Sequence, residues 1–220
     1  MDDMPAMTDR GAPLGRRERN KLKVRSRLYD SALKLFTEKG YEATSVDEIA
    51  EAADVARGTF FNHFQRKEDL ISAWGEQRRV RLRAGLSASG IEQQESLRAA
   101  LERCMRILAD INEEERDVTR SMLMAWVKAG RPMQEAPYAG EIFAEVVDAA
   151  LERGELPADV NAYRVGCLLR DIYLGTLYRW SQAEERDARL ELRTELHAAC
   201  AIILDGILPA GRAEPAAVPC

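Results

Sequence analysis

Apolar residues recur at intervals of three and four along most of this 220-residue chain, which is the spacing that places side chains on one face of an α-helix. Beyond Gly90 the helical pattern continues without a convincing β segment, and it breaks at glycine and proline clusters such as 130–132 and 154–157. The pattern therefore predicts an all-α protein. The predicted helices cover residues 17–39, 46–53, 57–63, 67–85, 91–111, 114–129, 138–153, 160–180 and 186–208.

The second and third predicted helices are short and meet at a tight turn. Ser45 can cap the first of this pair, and Asp47 and Glu48 fill its first turn. Asp54 then takes the turn position, which needs a left-handed backbone that Asp tolerates better than most residues. This order of elements is typical of a helix-turn-helix that reads DNA.

The second helix of the pair has an apolar inner side and a mixed outer side. Phe60 and Phe64 are spaced to face inward. The positions left partly outward, which suit a DNA major groove, are Arg57, Thr59, Phe61, Asn62 and His63. The alternative interpretation is an ordinary helical hairpin whose aromatic residues are simply core.

The stretch GYEATSVDEIAEAADVARGTFFNHFQRKEDL, residues 40–70, resembles the DNA-binding domain of the TetR family of bacterial transcriptional regulators. The resemblance is strong over the first third of the chain, and the remainder fits in length and helical character. It implies an N-terminal three-helix DNA-binding domain followed by a helical ligand-binding and dimerisation domain. Two residues depart from the family pattern: Asp54 stands where the turn most often has Gly, and Phe61 where a Tyr commonly contacts a DNA phosphate.

The resemblance and the outward positions together predict the residues that touch DNA. These are Arg16, Arg17, Arg19, Thr44, Arg57, Gly58, Thr59, Phe61, Asn62, His63 and Lys67. Because Phe61 has no hydroxyl, we expect it to contact a thymine methyl group rather than a phosphate.

Charge is segregated along the chain, although the formal net charge is only −5. Residues 10–27 carry eight Arg or Lys against one Glu, whereas residues 84–220 carry 15 Arg or Lys against 23 Asp or Glu. A basic segment next to a helix-turn-helix favours contact with phosphates or the minor groove over a solvated tail. The acidic remainder would repel DNA, which is consistent with a single DNA-facing end.

Four segments are predicted. Residues 1–15 form a disordered N-terminal arm, 16–66 the DNA-binding domain, 67–208 the regulatory and dimerisation domain, and 209–220 a disordered tail. Movement of the helix predicted at 67–85 couples ligand binding to separation of the DNA-binding domains in the resembling family. The candidate core residues of the first helix are Leu22, Leu28, Ala32, Leu35 and Phe36.

The last two predicted helices each carry a broad apolar stripe, and two such hairpins can pack as a two-fold four-helix interface. Gly166 and Gly175, with Ala198 and Ala199 opposite, would permit close approach of these helices. The alternative is that both stripes are buried within one subunit; the resemblance favours a homodimer. The predicted interface residues are Leu169, Thr176, Leu177, Trp180, Leu196, Ala199 and Ile203.

A small-molecule effector is expected among the helices of the regulatory domain, where apolar and aromatic residues are plentiful. The candidate ligand contacts are Met105, Leu108, Met122, Trp126, Phe143 and Tyr173. Each fits plain core packing better than ligand binding, because methionines and aromatic residues at helical spacing are common core residues.

The residue types that catalysis and metal binding need are scarce. The chain has two histidines, His63 and His197, and it contains neither a P-loop nor a GxGxxG after a strand. Its four cysteines are too far apart for a CxxC motif, so we expect reduced thiols, with redox sensing as a minor alternative. We therefore expect no catalytic residue, no cofactor and no metal. Without a membrane-spanning or secretory segment, a cytoplasmic protein is expected.

These patterns predict a homodimeric transcriptional repressor that binds a palindromic double-stranded DNA operator and releases it when a small molecule binds. A protein of the same fold that responds to a protein partner or to DNA itself is the alternative. A helical enzyme is a further alternative from a different class.

Overall fold

The computed structural model describes residues 15–88, 95–129, 138–183 and 191–205. Within those ranges the chain forms nine α-helices and no strand, as the periodicity predicts. The helices are α1 Arg16–Lys39, α2 Val46–Ala52, α3 Arg57–Phe61, α4 Asp69–Ala88, α5 Leu97–Glu114, α6 Arg116–Lys128, α7 Tyr138–Glu152, α8 Ala162–Gln182 and α9 Leu192–Asp205. The starts predicted at 91 and 186, most of the predicted arm and the predicted tail lie outside the described residues.

Helices α1, α2 and α3, which we call the head, enclose a small apolar core. Leu28, Phe36, Ile49 and Phe60 have no exposed surface. Leu22, expected in this core, is 52% exposed. The fully buried positions of α1 begin only at Leu28, so the first turns of α1 extend past the core that α2 and α3 cover.

The turn of the head follows the local sequence signals. The Ser45 hydroxyl accepts a hydrogen bond from the backbone N–H of Glu48, while the Glu48 carboxylate accepts one from the backbone N–H of Ser45 at 2.8 Å. This reciprocal pair satisfies two unpaired N–H groups at the start of α2. Asp54 has a φ of +52°, the left-handed conformation expected at that position. Helix α3 ends at Phe61, two residues earlier than predicted.

Helices α4 to α9, the part predicted to be regulatory and called the regulatory helices below, form the rest of the described chain. Helices α7 and α8 pack so closely that a Cβ atom on Gly166 would lie 2.8 Å from the backbone nitrogen of Ala144 and closer still to the carbonyl of Gly140. Gly166 was expected to let α9 approach α8 closely, but the helix that approaches it is α7. Helix α9 packs on α5 and α8.

Helix α6 lies against α1, so the head and the regulatory helices share a contact surface. Lys128 at the end of α6 forms an ion pair with Glu42 of the head, with Nζ 2.7 Å from Oε2. None of the described helices is long and apolar enough to cross a membrane.

Candidate DNA-binding surface

Helix α3 is anchored by its aromatic residues and presents its other side to solvent. Phe60 is fully buried and Phe64 nearly so, and their rings are 5.7 Å apart. Phe61 is 44% exposed, and Gly58 and Asn62 are exposed as well. The anchoring and the exposure together leave one edge of α3 free to enter a groove, as the spacing of the aromatic residues predicted.

Two of the predicted outward positions are only half-exposed. Thr59 is half-buried against the head. His63 is also half-buried, and its Nδ1 is a buried atom without a hydrogen-bond partner among the described residues. Burial lowers the pKa of His63, and the nearby positive charges of Lys21 and Arg25 lower it further. The imidazole therefore favours its neutral form.

Thr44 and Lys67, both predicted to touch DNA, form hydrogen bonds within the protein. The Thr44 hydroxyl is buried and donates to the carbonyl of Gly40 at 2.8 Å. The Lys67 ammonium donates to the carbonyls of Tyr41 at 2.8 Å and Thr44 at 2.9 Å, and it lies 4.1 Å from the centre of the Tyr41 ring. These groups hold the loop between α1 and α2. The assignment of buried Thr44 as a side-chain contact to DNA is therefore corrected, whereas contact of half-buried Lys67 with DNA stays a prediction.

Arg57 is exposed at the start of α3, as predicted, but it has a carboxylate partner. Its Nη1 lies 2.6 Å from Oδ2 and 2.9 Å from Oδ1 of Asp47 on α2. Its guanidinium carbon is also 5.8 Å from the centre of the Phe61 ring. The charge that would meet a phosphate is therefore partly neutralised within the head.

The first turns of α1 form a basic surface. Arg16, Arg17 and Arg19 are exposed, and they border one shallow groove together with Asn20 and Lys23. Positions 16, 19, 20 and 23 share one helical face, a spacing from which Asn20 and Lys23 could also have been predicted.

Arg25 connects this basic helix to the α3 region. Its guanidinium carbon lies 4.4 Å from the centre of the Phe64 ring, which is the distance of a cation–π contact. Lys21 and Arg25 also act electrostatically on His63. Lys21 and Arg25, on another side of α1 from residues 16, 19, 20 and 23, thus bring positive charge next to the α3 region.

The predicted dimer residues lie mainly inside the single chain. Five of the seven, Leu169, Thr176, Leu177, Trp180 and Leu196, are at most 2% exposed, and Ala199 and Ile203 are half-buried. A side chain without exposed surface cannot meet a partner, so these five are corrected to core positions. The apolar side chains that α8 and α9 leave at the surface are Tyr163, Leu168, Tyr178 and Ile202.

The predicted effector contacts are also core residues in the described structure. Met105, Leu108, Met122, Phe143 and Tyr173 are at most 1% exposed, and Trp126 is half-buried. Met105 also borders a groove between α5 and α9. Among the described residues, no three His, Cys, Asp or Glu side chains gather as a metal site.

Comparison with known proteins gives matches along most of the chain. The model of the N-terminal domain of bacterial regulatory proteins of the tetR family matches residues 28–74, and that of the C-terminal domain of TetR/AcrR family transcriptional repressors matches residues 80–206. The HTH-type transcriptional repressor KstR of Rhodococcus jostii is 32% identical over 182 residues, which cover 78% of this chain and 81% of that protein.

Two further relatives span a larger part of the chain. The HTH-type transcriptional regulator AcrR of Shigella flexneri is 26% identical over 209 residues, covering 83% of this chain and 88% of that protein. Among solved structures, Thermus thermophilus FadR, a TetR-family transcriptional repressor in complex with lauroyl-CoA, has a TM-score of 0.64 and 29% identity. That match covers 89% of this chain and 98% of FadR.

Proposed function

The chain belongs to the TetR family of bacterial regulatory proteins, and from this premise we propose that it is a homodimeric transcriptional repressor of a two-fold symmetric operator. A small molecule that binds the regulatory helices releases it from DNA. The observation that carries the proposal is the exposed edge of α3, held outward by buried Phe60, with the positive charges of Lys21 and Arg25 of α1 nearby.

The proposed assignment of DNA contacts follows from which side chains are exposed. Gly58, Phe61 and Asn62 would meet base edges in the major groove, because they form the exposed side of α3. Thr59 and His63, which are half-buried, would contact DNA at the border of this exposed side. The residues proposed to contact phosphates are Arg16, Arg17, Arg19 and Arg57. Thr44 and Lys67 would support the loop rather than bind DNA.

The homodimer is proposed to form through the outer face of α8 and α9. Leu168 and Ile202 are 58% and 56% exposed, so each could be covered by a partner subunit. A Cβ on Gly175 would meet only Arg179, at 3.9 Å, so nothing described in the protomer explains a glycine in the middle of α8. A glycine there weakens the helix but lets a partner helix approach closely.

The effector is proposed to combine an apolar chain with an anionic head, as lauroyl-CoA does in the FadR complex. A groove between α4, α5 and α7 suits such a molecule. Its apolar wall includes Leu86, Ile142 and Val146. Arg83, Arg103 and Arg153 lie along the same groove, and each is ion-paired with a glutamate that an anionic head group would replace.

Selection of duplexes from a random pool tests the DNA-binding proposal. The full chain should enrich a two-fold sequence, and Asn62→Ala should relax specificity at one position of each half-site. Lys34→Gln, which changes an exposed charge elsewhere on α1, is the matched control. Failure to enrich any sequence at both low and moderate salt would refute the repressor proposal.

Molecular mass in solution tests the dimer. Leu168→Glu and Ile202→Glu should each give a monomer that binds a single half-site weakly, because charge is introduced at the centre of the proposed interface. Val80→Glu, at another exposed apolar position, should stay dimeric. If both interface variants form dimers as stable as those of the parent, the dimer contact lies elsewhere on the molecule.

Release from the enriched operator tests the effector class. Lauroyl-CoA should release the protein, whereas coenzyme A alone and an uncharged lauroyl ester should not. A Val146→Trp variant, which narrows the groove at a half-buried position of its apolar wall, should need more lauroyl-CoA for release while binding the operator like the parent. Equal release by coenzyme A alone would contradict the proposed role of the apolar chain.

A further inference from the structure

Arg78 of α4 is a charged side chain that is 1% exposed, and burial of a charge is costly unless polar groups surround it. Its Nε donates to Oδ1 of Asn112 at 3.3 Å, and its Nη2 donates to Oγ1 of Thr119 at 3.2 Å. Nη2 also lies 3.1 Å from Oε2 of Glu115. The guanidinium stacks on the Trp74 ring, 3.9 Å from its centre.

The partners of Arg78 lie at the corner between two helices. Asn112 is in the last turn of α5, Thr119 is in the first turns of α6, and Glu115 is the residue between the two helices. The second carboxylate oxygen of Glu115 accepts a hydrogen bond from Arg81 at 2.9 Å. One carboxylate therefore holds two arginines, one turn apart on α4, and fixes α4 against this corner.

The same set of hydrogen bonds continues to α8. Asn112 Nδ2 donates to the hydroxyl of Tyr173 at 3.0 Å and to the carbonyl of Leu108 at 2.7 Å. The Thr119 hydroxyl, in turn, donates to Oδ1 of Asn112 at 3.2 Å. Because both ends of the amide are used, α8 cannot move Tyr173 without leaving a buried polar group unpaired or rotating the amide away from Arg78.

The head meets the network through α1. Tyr29 is 5% exposed, and its hydroxyl has no hydrogen-bond partner within the described ranges. Burial raises the pKa of Tyr29, and the positive charge of Arg78 acts against that rise. The head therefore meets the helices of the network where α1 packs on α6, and Tyr29 lies within reach of the positive charge of Arg78.

We propose that Tyr173, Asn112, Arg78 and Glu115 form a relay that sets the orientation of α4, and with it the head, according to the position of α8. Arg78 is the positioning residue of this relay. The proposal rests on the proposed repressor function. An intact relay holds one orientation of α4, and displacement of the Tyr173 hydroxyl releases it.

The half-site spacing of the preferred operator reports the relay, since it depends on how far apart the two heads are held. Tyr173→Phe removes only the hydroxyl and keeps the ring. This variant should select a broader range of half-site spacings. Its affinity for the parental operator should differ from that of the parent by about fivefold, which is the lower end of the usual coupling between two sites. Ser87→Ala, which removes an exposed hydroxyl of α4 outside the network, should behave like the parent.

A double-mutant cycle separates a relay from a loss of stability. Operator affinities of Tyr173→Phe and Glu115→Gln should be non-additive, because each variant disrupts the same unit. Tyr173→Phe and Arg83→Gln should be additive, since Arg83 pairs with Glu145 outside the network. Measurements belong well below the unfolding temperature of each variant.

The outcomes are distinct. If the parent enriches no operator, the proposed function fails and the relay with it. If the parent enriches an operator and Tyr173→Phe matches it in spacing and affinity, the function stands and the relay is overturned. Additivity of Tyr173→Phe with Glu115→Gln would also overturn it.

Discussion

Arg57 of α3 and Asp47 of α2 form an ion pair, with 2.6 Å between Nη1 and Oδ2, on the surface that we propose faces DNA. Both side chains are more than half exposed, so the pair itself adds little stability. Its consequence is electrostatic: the carboxylate offsets the arginine charge at the edge of the reading surface, and DNA must compete with Asp47 for Arg57.

We predict that Asp47→Asn binds duplex DNA several-fold more tightly than the parent, with the larger gain for unspecific sequences. Release of Arg57 to a phosphate in both heads of the dimer should steepen the dependence of log K on log salt by about 1.8, that is about 0.9 per head. Titrations of one operator and one unrelated duplex across a salt series measure both effects. Glu51→Gln removes the same charge from an exposed position of α2 without freeing Arg57, so its salt slope should match the parent.

Replacement of Lys67 should damage the head rather than remove a phosphate contact. Lys67→Met leaves the carbonyls of Tyr41 and Thr44 without their charged donor, at a cost of roughly 2 kcal/mol in the free energy of unfolding. Operator affinity should fall while the salt slope stays unchanged. Arg17→Gln is the converse control, with a reduced slope and parental stability; a reduced slope in Lys67→Met would return Lys67 to the DNA surface.

The features of the head that the sequence predicts well depend on neighbouring residues. The cap at Ser45 and the left-handed turn at Asp54 are decided within four or five positions, so residue type and spacing suffice. The ammonium of Lys67 reaches carbonyls 23 and 26 positions earlier in the chain. Nothing in the local pattern distinguishes that role from contact with DNA.

The regulatory helices show a second limit of prediction from the sequence. Periodicity finds the apolar stripe of α8 correctly, but a stripe does not say whether the same chain or a partner covers it. Leu177 and Trp180 are covered within the protomer, whereas Leu168 on the opposite side is left exposed. Arg78 illustrates the same point, because a charge within a helical pattern gives no sign of burial until α5 and α6 are placed around it.

Gly166 of α8 should be hard to replace. The Cβ of Gly166→Ala would meet backbone atoms of α7, which cannot rotate away, so α7 and α8 must separate. We expect a loss of about 1 to 3 kcal/mol in the free energy of unfolding, measured in urea. Gly58→Ala, whose Cβ meets nothing within 4 Å, should be neutral or stabilising by less than about 1 kcal/mol. Equal stability of the two variants would contradict the close packing.

Asp54 should carry a small conformational cost at the turn. Asp54→Gly adopts the φ of +52° without a Cβ clash. Its free energy of unfolding should rise by roughly 0.5 kcal/mol, because the backbone strain that is relieved exceeds the cost of a more flexible unfolded chain. Asp54→Ala lacks the side chain that tolerates this conformation and should lose about 1 kcal/mol. Urea unfolding measures both, and operator affinity should follow stability only weakly. A loss of stability in Asp54→Gly would mean that the Asp side chain itself supports the turn.

The capping box of α2 should weaken in acid. The Lys39 ammonium, the Ser45 backbone N–H and the Ser45 hydroxyl lower the pKa of Glu48 from its ordinary 4.5 to about 2. The unfolded chain therefore takes up this proton at higher pH than the folded chain does. The contribution of Glu48 to stability is complete above about pH 4.5 and is lost as the pH falls toward 2.

Thermal unfolding of the parent and Glu48→Gln between pH 7 and pH 2.5 measures this contribution. The parent should be the more stable protein at pH 7, and the difference in Tm should shrink steadily below about pH 4.5. Glu51→Gln, at an exposed position of α2 outside the capping box, is the control for loss of one negative charge from the same helix. A Glu48→Gln difference that persists to pH 2.5 would mean that the side-chain amide, rather than the charge, decides the effect at this cap.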